Sequence, residues 1–112
     1  MKTIDPNSFI RDVSLGEDHT IILSSNQRDV YAFGKGGDGQ LGLVGKPFVS
    51  APIRSTSLSS PSDDIHAVCA VQSCSITLGE HGDVLKKVGK CRNVAQGIRD
   101  CIERAREQEL IS

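Results

Sequence analysis

The residues best suited to chemistry lie in a glycine-rich run and in a group of cysteines and histidines. Residues 34–43 read GKGGDGQLGL. A phosphate-binding loop needs a lysine and then a serine or threonine after its last glycine, to contact the phosphates and magnesium. Gln40 and Leu41 stand in those places, and β-like residues follow instead of a helix whose dipole would face an anion. The run therefore favours a tight turn, and no cofactor is predicted.

The cysteines and histidines offer a metal site or a nucleophile. The candidates for a metal are spaced H-x2-C-x4-C-x6-H: His66, Cys69, Cys74 and His81. Zinc sites favour two closely spaced pairs, which this order lacks. A nucleophile needs a base and an orienting group beside it, and no catalytic signature surrounds any cysteine. We predict no metal ligand, no catalytic residue and no enzyme activity.

The first residues, MKTIDPNSFIRD, lack the apolar core of a secretory signal, and no apolar run is long enough to span a membrane. We therefore expect an intracellular protein, cytoplasmic or nuclear, with no membrane partner. Its cysteines are expected to be free thiols in a reducing setting: Cys69, Cys74, Cys91 and Cys101. The net charge is −1, so composition does not indicate direct contact with nucleic acid.

Short β-like runs must position these residues. They cover residues 9–15, 19–24, 29–34 and 48–54, the last favouring an edge strand because it contains Pro52. A lead-in with a turn at Pro6-Asn7-Ser8 precedes them, over residues 1–9. The serine-rich stretch 55–64 is interpreted as an exposed loop open to modification.

The β-like pattern then repeats after 55 positions. The apolar positions that coincide are Ile10 with Ile65, Val13 with Val68, Ile21 with Ile76 and Leu23 with Leu78, and Gly34 meets Gly89. A period of about 50 residues is typical of propellers and related repeat folds.

A helical pattern begins at Asn93. Its apolar stripe is Val94, Ile98, Cys101, Ile102 and Ala105, the candidate interaction helix. Asn93 with Gln96 resembles a capping box, and Asp100 and Arg104 are spaced as i,i+4 partners. The stripe either packs on the chain's own sheet as a cap or docks on another chain.

Residues 13–43 resemble a repeat of the RCC1 family, the regulator of chromosome condensation propellers. The residues that carry the resemblance are structural: Gly16, His19, Gly34, Gly39, Gln40, Leu41 and Gly42. Residues 65–91 resemble a degenerate second repeat, with Cys74 at the position of His19 and no second Gly-Gln-Leu-Gly. The resemblance does not extend to residues 92–112.

The resemblance implies four-stranded blades, usually about seven, set around an axis. Two blades do not close a ring and leave apolar faces uncovered. We therefore predict a mainly β chain of about two RCC1-like blades, an incomplete propeller, followed by a C-terminal amphipathic helix. The expected units are residues 1–9, 10–64, 65–91 and 92–112.

The family consists mostly of interaction platforms, and its founding member is an exchange factor for the small GTPase Ran that binds chromatin. The resemblance thus implies a non-catalytic interaction or structural component of a larger propeller or complex, with protein partners or further blades. The alternative is a nucleotide exchange factor for a small GTPase, or a fragment of one. A third reading is an autonomous small β domain of unrelated topology.

Overall fold

The structure, a computed structural model, describes residues 10–112, so the predicted lead-in and its turn at residues 6–8 lie outside the described residues. The elements in chain order are β1 (Ile10–Leu15), β2 (His19–Ser24), β3 (Val30–Lys35), β4 (Phe48–Arg54), β5 (Ala67–Val71), β6 (Cys74–Leu78), β7 (Val84–Gly89) and α1 (Ala95–Glu107). The mainly β architecture with a C-terminal helix is as predicted.

The strands form two antiparallel sheets in simple meander order. The first sheet is β1-β2-β3-β4 and the second is β5-β6-β7. β2 is central and almost wholly buried, as its β-branched sequence HTIILS favours. Pro52, which cannot donate to a neighbouring strand, lies in β4 at the edge of the first sheet.

The two sheets repeat the same strand register 55 positions apart. The pairs in the first sheet are Leu15–Thr20, Val13–Ile22, His19–Gly34 and Thr20–Phe33. Their counterparts in the second are Ala70–Ser75, Val68–Thr77, Cys74–Gly89 and Ser75–Val88. This confirms the second, degenerate repeat. It has three strands because the chain after β7 turns into α1 instead of adding a fourth strand.

Two cores hold the layers together. The first lies between the two sheets, and its buried members include Ile21, Leu23, Val30, Leu41, Val68 and Ala70. The second lies between the far side of the second sheet and α1, and includes Cys69, Ile76, Leu78, Val94, Ala105 and Ile111. Because alternate residues of a strand face opposite ways, β5 contributes Val68 to the first core and Cys69 to the second.

The ends of α1 differ from the sequence expectation. The N-cap residue is Val94, which makes no side-chain capping bond, and Asn93 has a φ of 55°, so the predicted capping box is wrong. Asp100 accepts a hydrogen bond from Gln96 rather than pairing with Arg104. Arg104 does not pair with Asp100 because it forms an ion pair with a buried carboxylate on β1.

The serine-rich stretch 55–64 is not uniformly exposed, which corrects the prediction. Leu58 is fully buried in the first core. Ser59 is 2% exposed, and its hydroxyl accepts a hydrogen bond from the Val30 amide. The exposed parts are residues 56–57 and 61–64. The buried serines satisfy backbone groups beside β3, and that role hides them from solvent.

Candidate functional site

The glycine-rich run forms a turn that is wedged between the two sheets. Leu41 is fully buried in the first core, and Gln40 is 3% exposed. The Gln40 side-chain oxygen accepts a hydrogen bond from the Asp38 amide at 2.9 Å, and its backbone carbonyl accepts one from the Ser75 hydroxyl at 2.5 Å. The turn therefore contacts both sheets and holds them together.

His19 completes this joint from β2. Its Nε2 lies 2.7 Å from the Ser75 hydroxyl oxygen. Since that hydroxyl donates to Gln40, Nε2 carries the proton that bonds to Ser75, and the buried Nδ1 has no partner among the described residues. Burial lowers the pKa of His19 below its usual value, and the charge of Asp18 opposes that shift less strongly. Ser75 is fully buried, so the pair is a structural link without access for a substrate.

The glycines of the predicted signature lie in or beside the same turns. The Gly16 amide donates to the His19 carbonyl at 2.8 Å, which closes the β1–β2 turn. Gly34 has a φ of 107°, and a Cβ there would lie 2.8 Å from the His19 Cα, so only glycine fits. Gly39 and Gly42 follow in the turn itself.

Asp12 and Arg104 form a second joint, which sequence reasoning missed. The Arg104 guanidinium contacts both oxygens of the Asp12 carboxylate, at 3.0 and 3.1 Å. Asp12 also accepts a hydrogen bond from the Val68 amide, and Arg104 donates to the Val68 carbonyl. The first sheet, the second sheet and α1 therefore meet at one buried ion pair. The one sequence signal was a lone acidic residue in the β-like run of residues 9–15.

The apolar stripe of α1 lies on the far side of the second sheet. Val94 and Ala105 are buried there, and the remaining stripe residues, Ile98, Cys101 and Ile102, are partly buried against the same core. A Cβ at Gly97 would lie 2.5 Å from a methyl group of Val71, so glycine lets the helix approach β5 closely. The structure therefore favours the first alternative, in which α1 caps the chain's own sheet, over docking of α1 on another chain.

The cysteines are paired, so the prediction of free thiols is wrong. Disulfides join Cys69 on β5 to Cys101 on α1, and Cys74 on β6 to Cys91 after β7, with Cα–Cα distances of 5.9 and 5.0 Å. The prediction of free thiols followed from the expected intracellular setting, although the even number of cysteines was compatible with pairing. Cys69 on β5 and Cys74 on β6 lie on the same side of the second sheet, although neither is bonded to the other.

The other sequence candidates do not assemble into a reactive site. His66 is half-buried and His81 is exposed. Among residues 10–112, no group of three or more potential metal-ligating side chains converges. Within the same range α1 is the sole helix, and it is too short and too polar to cross a membrane.

The outer side of the first sheet carries an apolar surface that is exposed along β1 among residues 10–112, whereas Ile22 on the neighbouring β2 is 7% exposed. The strand registers place five residues on it: Val13, Leu15, Thr20, Ile22 and Tyr31, which we call the open face. Leu15 is 71% exposed and Val13 is 40% exposed.

A family model described as the regulator of chromosome condensation (RCC1) repeat matches residues 10–40. This chain carries an RCC1 repeat. The match covers β1, β2, β3 and the glycine-rich turn as far as Gln40, so His19 and Gln40 both lie within it. The human protein RCC2 is 32% identical over 77 residues, which are 69% of this chain and 15% of that protein. The chain therefore spans a small part of the curated relatives it matches.

Solved structures of RCC1-like propellers share the fold. A crystal structure of human WBSCR16 superposes with a TM-score of 0.64 at 23% identity, covering 82% of this chain and 22% of that one. Prp20p from Saccharomyces cerevisiae, described with its binding to Gsp1p and histones, gives 0.63 at 21% identity, covering 85% and 24%. The two sheets are thus RCC1-like blades of an incomplete propeller, as predicted.

The 55-residue repeat shows what α1 replaces. Ile21 and Leu23 of the first RCC1 blade face the second blade. Their counterparts in the repeat, Ile76 and Leu78, face α1. Ser14, whose hydroxyl accepts from the Ala70 amide across the blades, corresponds to Cys69, which is bonded to the helix. The helix therefore occupies the side of the second blade on which a third would stack.

Proposed function

We propose that this chain is a non-catalytic interaction or structural component that docks a further blade, or a protein partner with a similar sheet, on its open face. The RCC1 repeat and its relatives support an interaction role built on repeats. The same proposal includes the units 10–64, 65–91 and 92–112 as first blade, second blade and capping helix.

The observation that carries the proposal is a difference in burial between repeat positions. Val68 and Ala70 of the second sheet are 0% and 6% exposed, because they pack against the first sheet. Their counterparts Val13 and Leu15 are 40% and 71% exposed. The open face therefore has the pattern of a blade-facing surface without its blade, and such uncovered apolar surfaces mark interaction sites.

An intracellular location, cytoplasmic or nuclear, belongs to this proposal. It is supported by Prp20p, a structural neighbour described as binding histones and Gsp1p. Disulfides in reducing compartments are usually transient, so the two cysteine pairs would form there under oxidising conditions.

The exchange-factor alternative is not what the geometry favours. The signature residues Gln40 and Leu41 are themselves buried between the sheets, so their side chains offer no surface to a GTPase. Incubating the chain alone with a nucleotide-loaded small GTPase should leave nucleotide release at its intrinsic rate. Accelerated release would contradict the proposal and favour the alternative.

Native mass spectrometry of the tagged protein recovered from its own source tests the docking role. We expect a complex in which the chain is joined to further blades. Leu15→Asp should lower the recovered complex at least about tenfold, because burying an unpaired charge costs more than 1.4 kcal/mol. Val44→Asp, at a residue 95% exposed in the loop before β4, is the matched control and should have no effect. A free monomer, or a complex that tolerates Leu15→Asp, would refute the proposal.

A further inference from the structure

We propose that α1 is a removable cap, locked by the Cys69–Cys101 disulfide, over a face that binds the open face of a second copy of this chain. This inference rests on the proposed docking role of the open face and adds the partner surface and its control.

The internal repeat identifies the second copy as the occupant. Within one chain, Val68 and Ala70 of the second sheet pack on Ile21 and Leu23 of the first. The counterparts of these four residues lie 55 positions away in the repeat. Replacing each residue by its counterpart gives Val13 and Leu15 of one copy packing on Ile76 and Leu78 of another.

Two receiving positions keep their residue in this shift, since isoleucine replaces isoleucine and leucine replaces leucine. Beside them Lys87 replaces Ala32, and on the docking side Leu15 replaces the smaller Ala70. The strand pairings of the two sheets have the same register at most positions, and the register shifts by one residue where Leu78 pairs with Val84. One copy's open face therefore matches the side of the second sheet that another copy covers with α1. Such head-to-tail contacts build rings or open chains.

The helix has the properties of a cap that can be removed. It spans 13 residues, a length that is marginal in isolation, and its N-terminus has no side-chain cap. Gly97 in its interior lowers its helix propensity further. Released from the sheet, α1 is therefore expected to unfold rather than compete for the face.

The disulfide is the covalent tie between the helix and the face. Cys69–Cys101 links β5 to α1, whereas Cys74–Cys91 links β6 to the segment before the helix. Both bonds lie on the side of the second sheet that α1 covers, but only the first ties the helix itself to the sheet. With the bond intact, the tethered helix outcompetes any free partner because its effective concentration is high.

A dithiol reductant opens the lock by ordinary exchange. Its thiolate attacks the Cys101 sulfur, because Cys101 is half-buried while Cys69 is fully buried. The Cys69–Cys101 bond breaks, a mixed disulfide forms on Cys101, and the Cys69 thiolate takes a proton. The second thiol of the reductant then displaces Cys101, which also becomes a thiol, and the reductant leaves as its own disulfide.

The test compares two double variants, Cys69→Ser with Cys101→Ser and, as matched control, Cys74→Ser with Cys91→Ser. Size-exclusion chromatography with light scattering gives the mass over a series of protein concentrations. Hydrogen exchange reports the protection of α1. We expect the first variant to exchange the amides of α1 at least about 30-fold faster than the oxidised wild type. It should also form multiples of the monomer mass, whereas the control stays monomeric with a protected helix.

Adding Leu15→Asp to the first variant should restore the monomer, and adding Val44→Asp should not. A first variant that stays monomeric at every concentration overturns the lock, and an oligomer that survives Leu15→Asp overturns the proposed interface. If serine at the buried position 69 prevents folding, alanine at both positions replaces it. The two proposals can fail separately. If Leu15→Asp abolishes the complex recovered from the source and the first variant is nevertheless monomeric, the proposed function stands and only this inference is refuted.

Discussion

Arg104 of α1 binds the Asp12 carboxylate with both arms of its guanidinium, across 92 positions of sequence. Asp12 is 6% exposed, and its side chain also accepts hydrogen bonds from the amides of Val13 and Val68. This contact joins the helix to both sheets. It also explains why Arg104 does not pair along its own helix with Asp100.

Replacing Arg104 by methionine should therefore destabilise the fold. We expect a loss of about 2 kcal/mol in the free energy of unfolding, below the usual cost of breaking a buried pair, because Arg104 is partly exposed and two amides still hold Asp12. Urea denaturation measures it. Arg99→Met, at an exposed position of the same helix, is the control and should change stability by less than about 0.5 kcal/mol. Equal effects of the two variants would contradict the assigned role.

Gly97→Ala tests the close approach of α1 to β5. In an ordinary helix interior this change stabilises by about 1 kcal/mol. Here we expect a net loss, because the new Cβ would lie 2.5 Å from a stiff, β-branched Val71. A double-mutant cycle with Val71→Ala checks the cause. The alanine at position 97 should become favourable once Val71 is shortened, and simple additivity would be the contrary result.

Gly34→Ala tests the positive φ at the end of β3. We expect a loss of about 1–3 kcal/mol, because alanine would be strained at a φ of 107° and would press on the Asp18–His19 backbone. The control is Gly37→Ala, where an added Cβ meets nothing within 4 Å. Thermal unfolding of both variants beside the wild type gives the comparison. A Gly34→Ala variant as stable as Gly37→Ala would refute the interpretation.

His19 should make stability depend on pH. Its folded-state pKa is lowered, mainly by burial, so the unfolded chain binds the proton more readily. Well above pH 6.5, the unfolded-state pKa, the titration of His19 therefore does not change the free energy of unfolding. It becomes destabilising as pH falls through that value, until the folded form is protonated too.

The measurement is the free energy of unfolding at a series of pH values in urea. His19→Gln, which keeps a donor towards Ser75 without titrating, should flatten the decline below pH 6.5. His81→Gln, at an exposed histidine, should leave the decline unchanged. A slope that persists in His19→Gln would assign the effect to another group.

The repeat and its signature turn were readable from the sequence. Residues 19–24 are β-branched and apolar and residues 29–34 alternate, as strands require. The 55-residue shift follows from the need of stacked sheets to match apolar positions. The stripe of α1 could also be predicted, since a period of 3.6 residues places its apolar side chains on one face of a helix. These features are local or periodic, so they appear along the chain.

Tertiary structure decided the long-range partners. Cys69 meets Cys101 and Asp12 meets Arg104 because α1 folds back on the second sheet, and no local spacing encodes that return. The same packing cancelled two local signals, the capping box at Asn93 and the exposed serine-rich loop, because buried contacts outweigh propensities worth about 1 kcal/mol or less. The chain alone specified the blades, and only their packing showed that the helix stands where a third blade would.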